Sequence, residues 1–249
     1  MNQFNHLYNQ LNNFSITHKR KFNPMGKISD LSVEETFNFA YNMSFGNIGR
    51  HKNIRSGGSK HRKNGEVFAD AFQGKLAEFA LFEFFNSKMI NSSKPDLTEY
   101  KLGNWDINDL TVGSNSISVK STKSFGNLLL LESEDYDKEG TYIHNKKIYD
   151  YTILLRLKPF CGEIMKKNRC LYCNEYNQAE LKQIISPIKW TFDIPGYISN
   201  KDLVYIINKE FRIPKGSLLN KSTKIDASNY YVQAGDLRNI NVLCKLLLK

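Results

Sequence analysis

The chain has 249 residues, 41% hydrophobic and 12% aromatic, with 35 Lys and Arg against 25 Asp and Glu for a formal net charge of +10. That composition is not a disordered polymer's. No apolar run approaches the roughly 20 residues of a membrane helix, and the opening MNQFNHLYNQLNNF lacks the apolar core of a secretory signal, so a cytoplasmic protein is expected.

In chain order, residues 1–30 are polar, carry the basic cluster THKRKFNPMGK and predict an N-terminal arm, partly ordered at best. A single domain is expected over 31–249. A helix should begin near Ser32, because Ser32-Val-Glu-Glu35 has the form of a capping box. The loop at 46–65 has no acidic residue and holds Arg50, Lys52, Arg55, Lys60, Arg62 and Lys63 between glycines and serines. An isolated charge run is usually a solvated loop; its functional alternative is a grip on successive phosphates, which adds affinity without sequence information. From Glu66 to Asn86 the spacing of Phe68, Phe72, Leu76 and Phe79 predicts a long core-facing helix. Gly74 in its middle implies the close approach of another element, since glycine there costs about 1 kcal/mol against alanine.

The segment 105–122 predicts a β-hairpin around a Gly-Ser-Asn turn. Strands follow at 149–157 and near Ile188–Ile194, with Gly196-Tyr-Ile198 close behind; a helix should run from Asn200 to before Pro214, and the C-terminal stretch holds one more strand and a final helix or strand. Helices ahead of a central run of strands indicate an α/β or α+β fold, a central mixed sheet flanked by helices.

The hairpin is where chemistry concentrates. Ile117 and Val119 alternate with Ser118 and Lys120, so one face is apolar and the other polar. With the turn centred on Ser114, Lys120 lies opposite Asn108 and Asp106 sits one diagonal step away on the same face. This register sends Asp109 to the apolar face, which a bulge must relieve. A carboxylate beside an ammonium suits phosphodiester hydrolysis. The carboxylate holds Mg²⁺, a hard cation that prefers oxygen, while the lysine orients or deprotonates water or offsets charge at phosphorus. Taken singly, each residue has a plainer reading, such as a surface ion pair worth less than about 1 kcal/mol.

Trp105-Asp106-Ile107 followed by Ile117-Ser118-Val119-Lys120-Ser121-Thr122 resembles the core of the PD-(D/E)xK nuclease superfamily, and type II restriction endonucleases in particular. The resemblance covers about residues 66–200. It implies a restriction-endonuclease-like core and a metal-dependent deoxyribonuclease with Asp106 and Lys120 catalytic. The preceding helix would give Glu78 to the metal. One departure is Ser118, which stands where the superfamily usually has Asp or Glu. Some members with Ser-x-Lys recover the carboxylate downstream, which Glu134, with Glu132 nearby, would match. The implied metal set is Asp106 with Glu78 or Glu134, and Ser118 would act through water or on the scissile phosphate.

The four cysteines are too few for a disulfide scaffold and are expected as reduced thiols. Cys161, Cys170 and Cys173, with Cys244 or His144 as fourth ligand, admit a zinc reading, but only one CxxC pair is present and free thiols are favoured. No nucleotide-cofactor motif appears. The expectation is a Mg²⁺-dependent, site-specific endonuclease on double-stranded DNA, a homodimer if it cuts palindromes. The alternatives are a structure-specific repair or recombination nuclease, or a basic DNA-binding protein without catalysis.

Overall fold

The computed structural model describes residues 4–46, 61–98 and 109–248. The chain begins with β1 (Tyr8–Gln10), β2 (Asn13–Ser15), β3 (Gly26–Lys27), α1 (Asp30–Asn42) and α2 (Asn64–Ser87). Next come β4 (Leu110–Val112), β5 (Asn115–Lys123), β6 (Leu128–Glu132), a 3₁₀ turn at Ser133–Asp135, β7 (Thr141–Tyr142), β8 (Lys147–Ile148) and β9 (Tyr151–Lys158). Then α3 (Cys161–Lys167), α4 (Gln178–Ile185), β10 (Thr191–Ser199) and α5 (Asn200–Asn208) lead into β11 (Arg212–Ile213), β12 (Leu218–Leu219), β13 (Thr223–Lys224), β14 (Asn229–Gln233) and α6 (Ile240–Leu247).

The central sheet has the order β3-β10-β9-β5-β4, with β5 and β9 parallel and the other neighbours antiparallel. The protein is therefore a mixed α/β structure. Its middle strand explains the layering. In β9, Ile153, Leu155 and Leu157 enter one apolar cluster with α1, α2 and α6, while Leu154 enters a second cluster with β6, β14 and α5. A strand buried on both faces reads as a continuous apolar run, as ILLRL does. Arg156 is the exception inside that run, and Asp193 on β10 meets its charge, with Nε–Oδ1 at 2.8 Å and Nη2–Oδ2 at 2.5 Å. Strand β10 changes register between Asp193 and Gly196. Gly196 is required there, since a Cβ would lie 2.2 Å from the Arg238 carbonyl oxygen.

Several sequence expectations need correction. Helix α1 is capped by Ser29, whose side chain accepts the Ser32 N–H. The Ser32 hydroxyl is instead turned inward and donates to Glu83 of α2 at 2.7 Å. Gly74 meets no close neighbour: nothing among the described residues lies within 4 Å of where its Cβ would be. The tight approach is at Gly65, where a Cβ would stand 2.2 Å from the Cys170 carbonyl oxygen.

The N-terminal segment is not an arm from residue 4 onward. Leu7 and Phe14 are buried in the second cluster, and β2 pairs in parallel with β12. The N–H groups of Thr17 and His18 both donate to Oε1 of the fully buried Gln233, at 2.8 and 2.9 Å. Its polar residues are spent on buried acceptors, which composition does not distinguish from solvation. Among the described residues, no helix is long and apolar enough to cross a membrane.

Candidate functional site

Strand β5 sets the geometry. Ile117 points into the cluster of the helical layer and Val119 packs against it. By alternation Ser118 and Lys120 face the other way, beside Thr152 and Leu154 of β9 in register. Ser118 is only 2% exposed, and Lys120 is half-buried.

The hairpin register differs from the expected one by a single residue. Leu110 pairs with Ile117 and Val112 with Asn115, across a turn at Gly113 and Ser114 in which Gly113 has φ +57°. Carried one step on, this register sets Asp109 opposite Ser118. A shift of one exchanges the faces, so Asp109 leaves the apolar side and needs no bulge. Its Oδ2 accepts the Val119 N–H at 2.5 Å. The side chain thus replaces the backbone partner where the short β4 ends. Asp106 lies outside the described residues.

Glu78 is buried on α2, and its Oε2 is 2.7 Å from Lys75 Nζ. Lys75 in turn lies 5.1 Å from the centre of the Phe39 ring of α1. Since α2 packs with Ile117, Glu78 belongs to the helix on the face of the sheet away from Lys120. Glu134 is exposed on the 3₁₀ turn. Its neighbour Asp135 turns inward instead, with Oδ1 2.9 Å from Nε2 of His144.

Three tyrosines complete this side of the sheet. The Tyr142 ring centre is 5.4 Å from that of Tyr136, 6.2 Å from Tyr149 and 5.2 Å from His144, and Asn145 Nδ2 donates to the Tyr149 hydroxyl at 3.0 Å. Burial, reinforced by the negative charges of Asp135 and Asp109, pushes the Tyr136 phenol well above its ordinary value. Burial also raises Tyr142, with Asp135 adding to the rise and Lys120 opposing it. Tyr149 is raised by burial and by Asp109, against the hydrogen bond from Asn145 and the charge of Lys120. Asp109, Lys120, Asp135 and the three rings therefore share one electrostatic neighbourhood. At neutral pH the phenols stay protonated, each with a proton to donate. The Tyr136 hydroxyl is buried without a partner among the described residues.

Among the described residues, no group of three or more His, Cys, Asp or Glu side chains is placed to hold a metal ion. Magnesium asks for less, since one or two carboxylates with waters and substrate phosphates are usual. Carried one residue beyond its paired positions, the hairpin register puts the Asp109 carboxylate diagonally across from Lys120 on the same face. The cysteines fill packing roles. Cys161 and Cys244 are buried in the helical cluster, and the Cys170 and Cys173 thiols donate to the Met165 and Arg169 carbonyls at 3.4 Å. Of the basic loop, Arg50, Lys52, Arg55 and Lys60 fall outside the described residues, Arg62 pairs with Asp70 at 2.7 Å, and Lys63 occupies the N-cap position of α2.

Sequence reasoning singled out Lys120, put Asp109 on the apolar face, and did not single out Asp135 or the tyrosines. The signal for the tyrosines was the spacing of Tyr136, Tyr142 and Tyr149 in a stretch without strong helical or strand periodicity. Comparison with protein-family models, curated proteins and solved structures finds no match for the chain.

Proposed function

We propose that the chain is a Mg²⁺-dependent endonuclease that hydrolyses double-stranded DNA at specific sites, as type II restriction enzymes do, on a restriction-endonuclease-like core. One observation carries this reading: the β4–β5 hairpin brings a carboxylate, Asp109, and an ammonium, Lys120, to the same side of one sheet, under a rim of protonated phenols. The formal charge of +10 supports a polyanionic substrate.

In this reading Asp109 would hold the ion; Asp106, the carboxylate that the resemblance implies, lies outside the described residues. The ion, when bound, lowers the pKa of a water and screens charge on the phosphate. Lys120 donates from Nζ to the attacking water or to a phosphate oxygen, and so holds the nucleophile in line. Tyr142 and Tyr149 lie close enough to feel the Lys120 charge and can donate to the same phosphate. Ser118 is buried beneath this face and supports the strand. Action on both strands of a palindrome favours a homodimer.

The test is digestion of unmethylated plasmid with Mg²⁺, wild type beside Lys120→Ala, Asp109→Asn and Asp106→Ala. Wild type should give discrete bands, and each variant should lose at least about 100-fold in rate, the lower range for a positioned acid–base group. Cutting confined to branched DNA would shift the reading to repair or recombination. Salt-sensitive DNA binding without cleavage in any of the four proteins would leave a non-catalytic DNA-binding protein.

A further inference from the structure

A second concave site lies at the carboxyl ends of the parallel strands β5 and β9, the end of an α/β sheet where ligands commonly sit. The cavity holds about 440 Å³, within the range of small-molecule sites. Its walls come from the first turns of α2, the end of β5, helix α3 with the residues after it, and Asp226. Part of the charge is already matched internally, since Arg62 pairs with Asp70, while Glu66 accepts the backbone N–H of Lys63 at 3.0 Å, a bond that leaves its negative charge in place. Beyond these residues the lining holds two cations, Lys123 and Lys166, two carboxylates, Glu163 and Asp226, and the rings of Phe160 and Tyr172.

That combination is selective. Lys123 stands 4.6 Å from the centre of the Phe160 ring, so a cation and an aromatic surface are held together. Tyr172 exposes 58% of its surface at the rim, where a flat ligand can stack. The carboxylates accept hydrogen bonds from exocyclic amino groups, and the lysines meet a phosphate. A purely apolar ligand leaves the four charges unmatched, and a simple anion leaves the rings unused.

We propose that this cavity receives one unstacked nucleotide, with its base against Phe160 and Tyr172 and its phosphate toward Lys123 and Lys166. The proposal rests on the reading of the chain as a nucleic-acid enzyme and assigns that enzyme a nucleotide subsite away from the cleavage centre. Lys123 is three residues beyond Lys120 on β5, about 10 Å at the usual rise per residue. By alternation Lys123 projects to the opposite face of the sheet from Lys120, the face that carries α2, so the subsite and the cleavage centre lie on different faces of β5.

The experiment is calorimetric titration of the protein with deoxynucleoside 5′-monophosphates, the matching deoxynucleosides and inorganic phosphate. The monophosphates should bind saturably, and the nucleosides and phosphate at least 10-fold more weakly. Tyr172→Ala and Lys166→Ala, both at exposed positions, should each weaken nucleotide binding at least 5-fold while keeping the wild-type melting temperature. Lys120→Ala should bind nucleotide as wild type does. No saturable binding by wild type overturns the subsite, as does unchanged affinity in Tyr172→Ala and Lys166→Ala, or phosphate binding as tight as nucleotide binding. Plasmid cleavage by a protein that binds no nucleotide sinks the subsite alone. Nucleotide binding by a protein that cuts no DNA sinks the nuclease alone.

Discussion

Arg156 and Asp202 show how single charges are tolerated in this protein. Arg156 is 1% exposed, and besides Asp193 its guanidinium donates to the carbonyls of Arg20, Lys21 and Gly126. With its hydrogen bonds satisfied the ion is tolerable; without its counter-charge it is not. Asp193→Ala should therefore lower unfolding free energy by about 3–5 kcal/mol, measurable by urea denaturation. Asp202 is the milder case. Burial alone would raise its pKa, but the fork from Arg238, at 2.6 Å to each oxygen, and the Ser199 N–H and hydroxyl hold it below the usual carboxylate value. A depressed folded-state pKa adds stability that is present above the unfolded value, about 3.9, and is lost as pH falls through the folded one. Below about pH 4, wild type should lose this contribution. Asp202→Asn should be less stable than wild type at pH 7 and depend less on pH across the acid window.

At the scale of elements, the start of α2 is the most constrained junction. Gly65 donates its N–H to the Cys173 carbonyl at 3.0 Å and leaves no room for a Cβ against Cys170 and Leu171. Gly65→Ala should destabilise the protein by about 1–3 kcal/mol, the usual cost of overpacking, and show as a lower melting temperature. Ser29→Ala should cost about 1 kcal/mol through the lost cap. These junctions also mark where the sequence could be read and where it could not. Helix α2 and β9 were legible because their apolar runs are local in sequence, and α5 because its Ser199 cap is. The strand expected near Ile188–Ile194 and the Gly196-Tyr-Ile198 piece prove to be one bulged strand, β10, because Gly196 accommodates Arg238 from a distant loop. The hairpin was legible, but its register was not. A two-residue turn in place of a three-residue one moves every cross-strand pair by one, and the pairs Leu110–Ile117 and Val112–Asn115 show which applies. Lys120 was accessible to sequence reasoning because its face follows from β5 alone. Asp135 was not, because its inward turn depends on His144 and on the packing of Tyr142.

At the scale of the molecule, two apolar clusters share the central sheet, and the candidate chemistry sits on the side of the second, smaller one. The net charge of +10 acts over the whole surface. If DNA is the substrate, the logarithm of its binding constant should fall linearly with the logarithm of salt, at a slope of about −0.9 per phosphate neutralised. Lys120→Ala should preserve that slope to within about one contact while abolishing cleavage.

The stitching of residues 4–20 onto the far end of the chain has a kinetic consequence. Thr17 and His18 wait for Gln233, which is 216 and 215 positions downstream. At ribosomal speeds of about 5–20 residues per second, that partner emerges roughly 10–40 s after they do. Throughout that interval Leu7 and Phe14 have no burial partner from β14, so residues 4–20 settle only after residues made long after them. Translation halted before Gln233 should leave a polypeptide that lacks the end of β14 and all of α6, with both apolar clusters incomplete and open to chaperones and proteases.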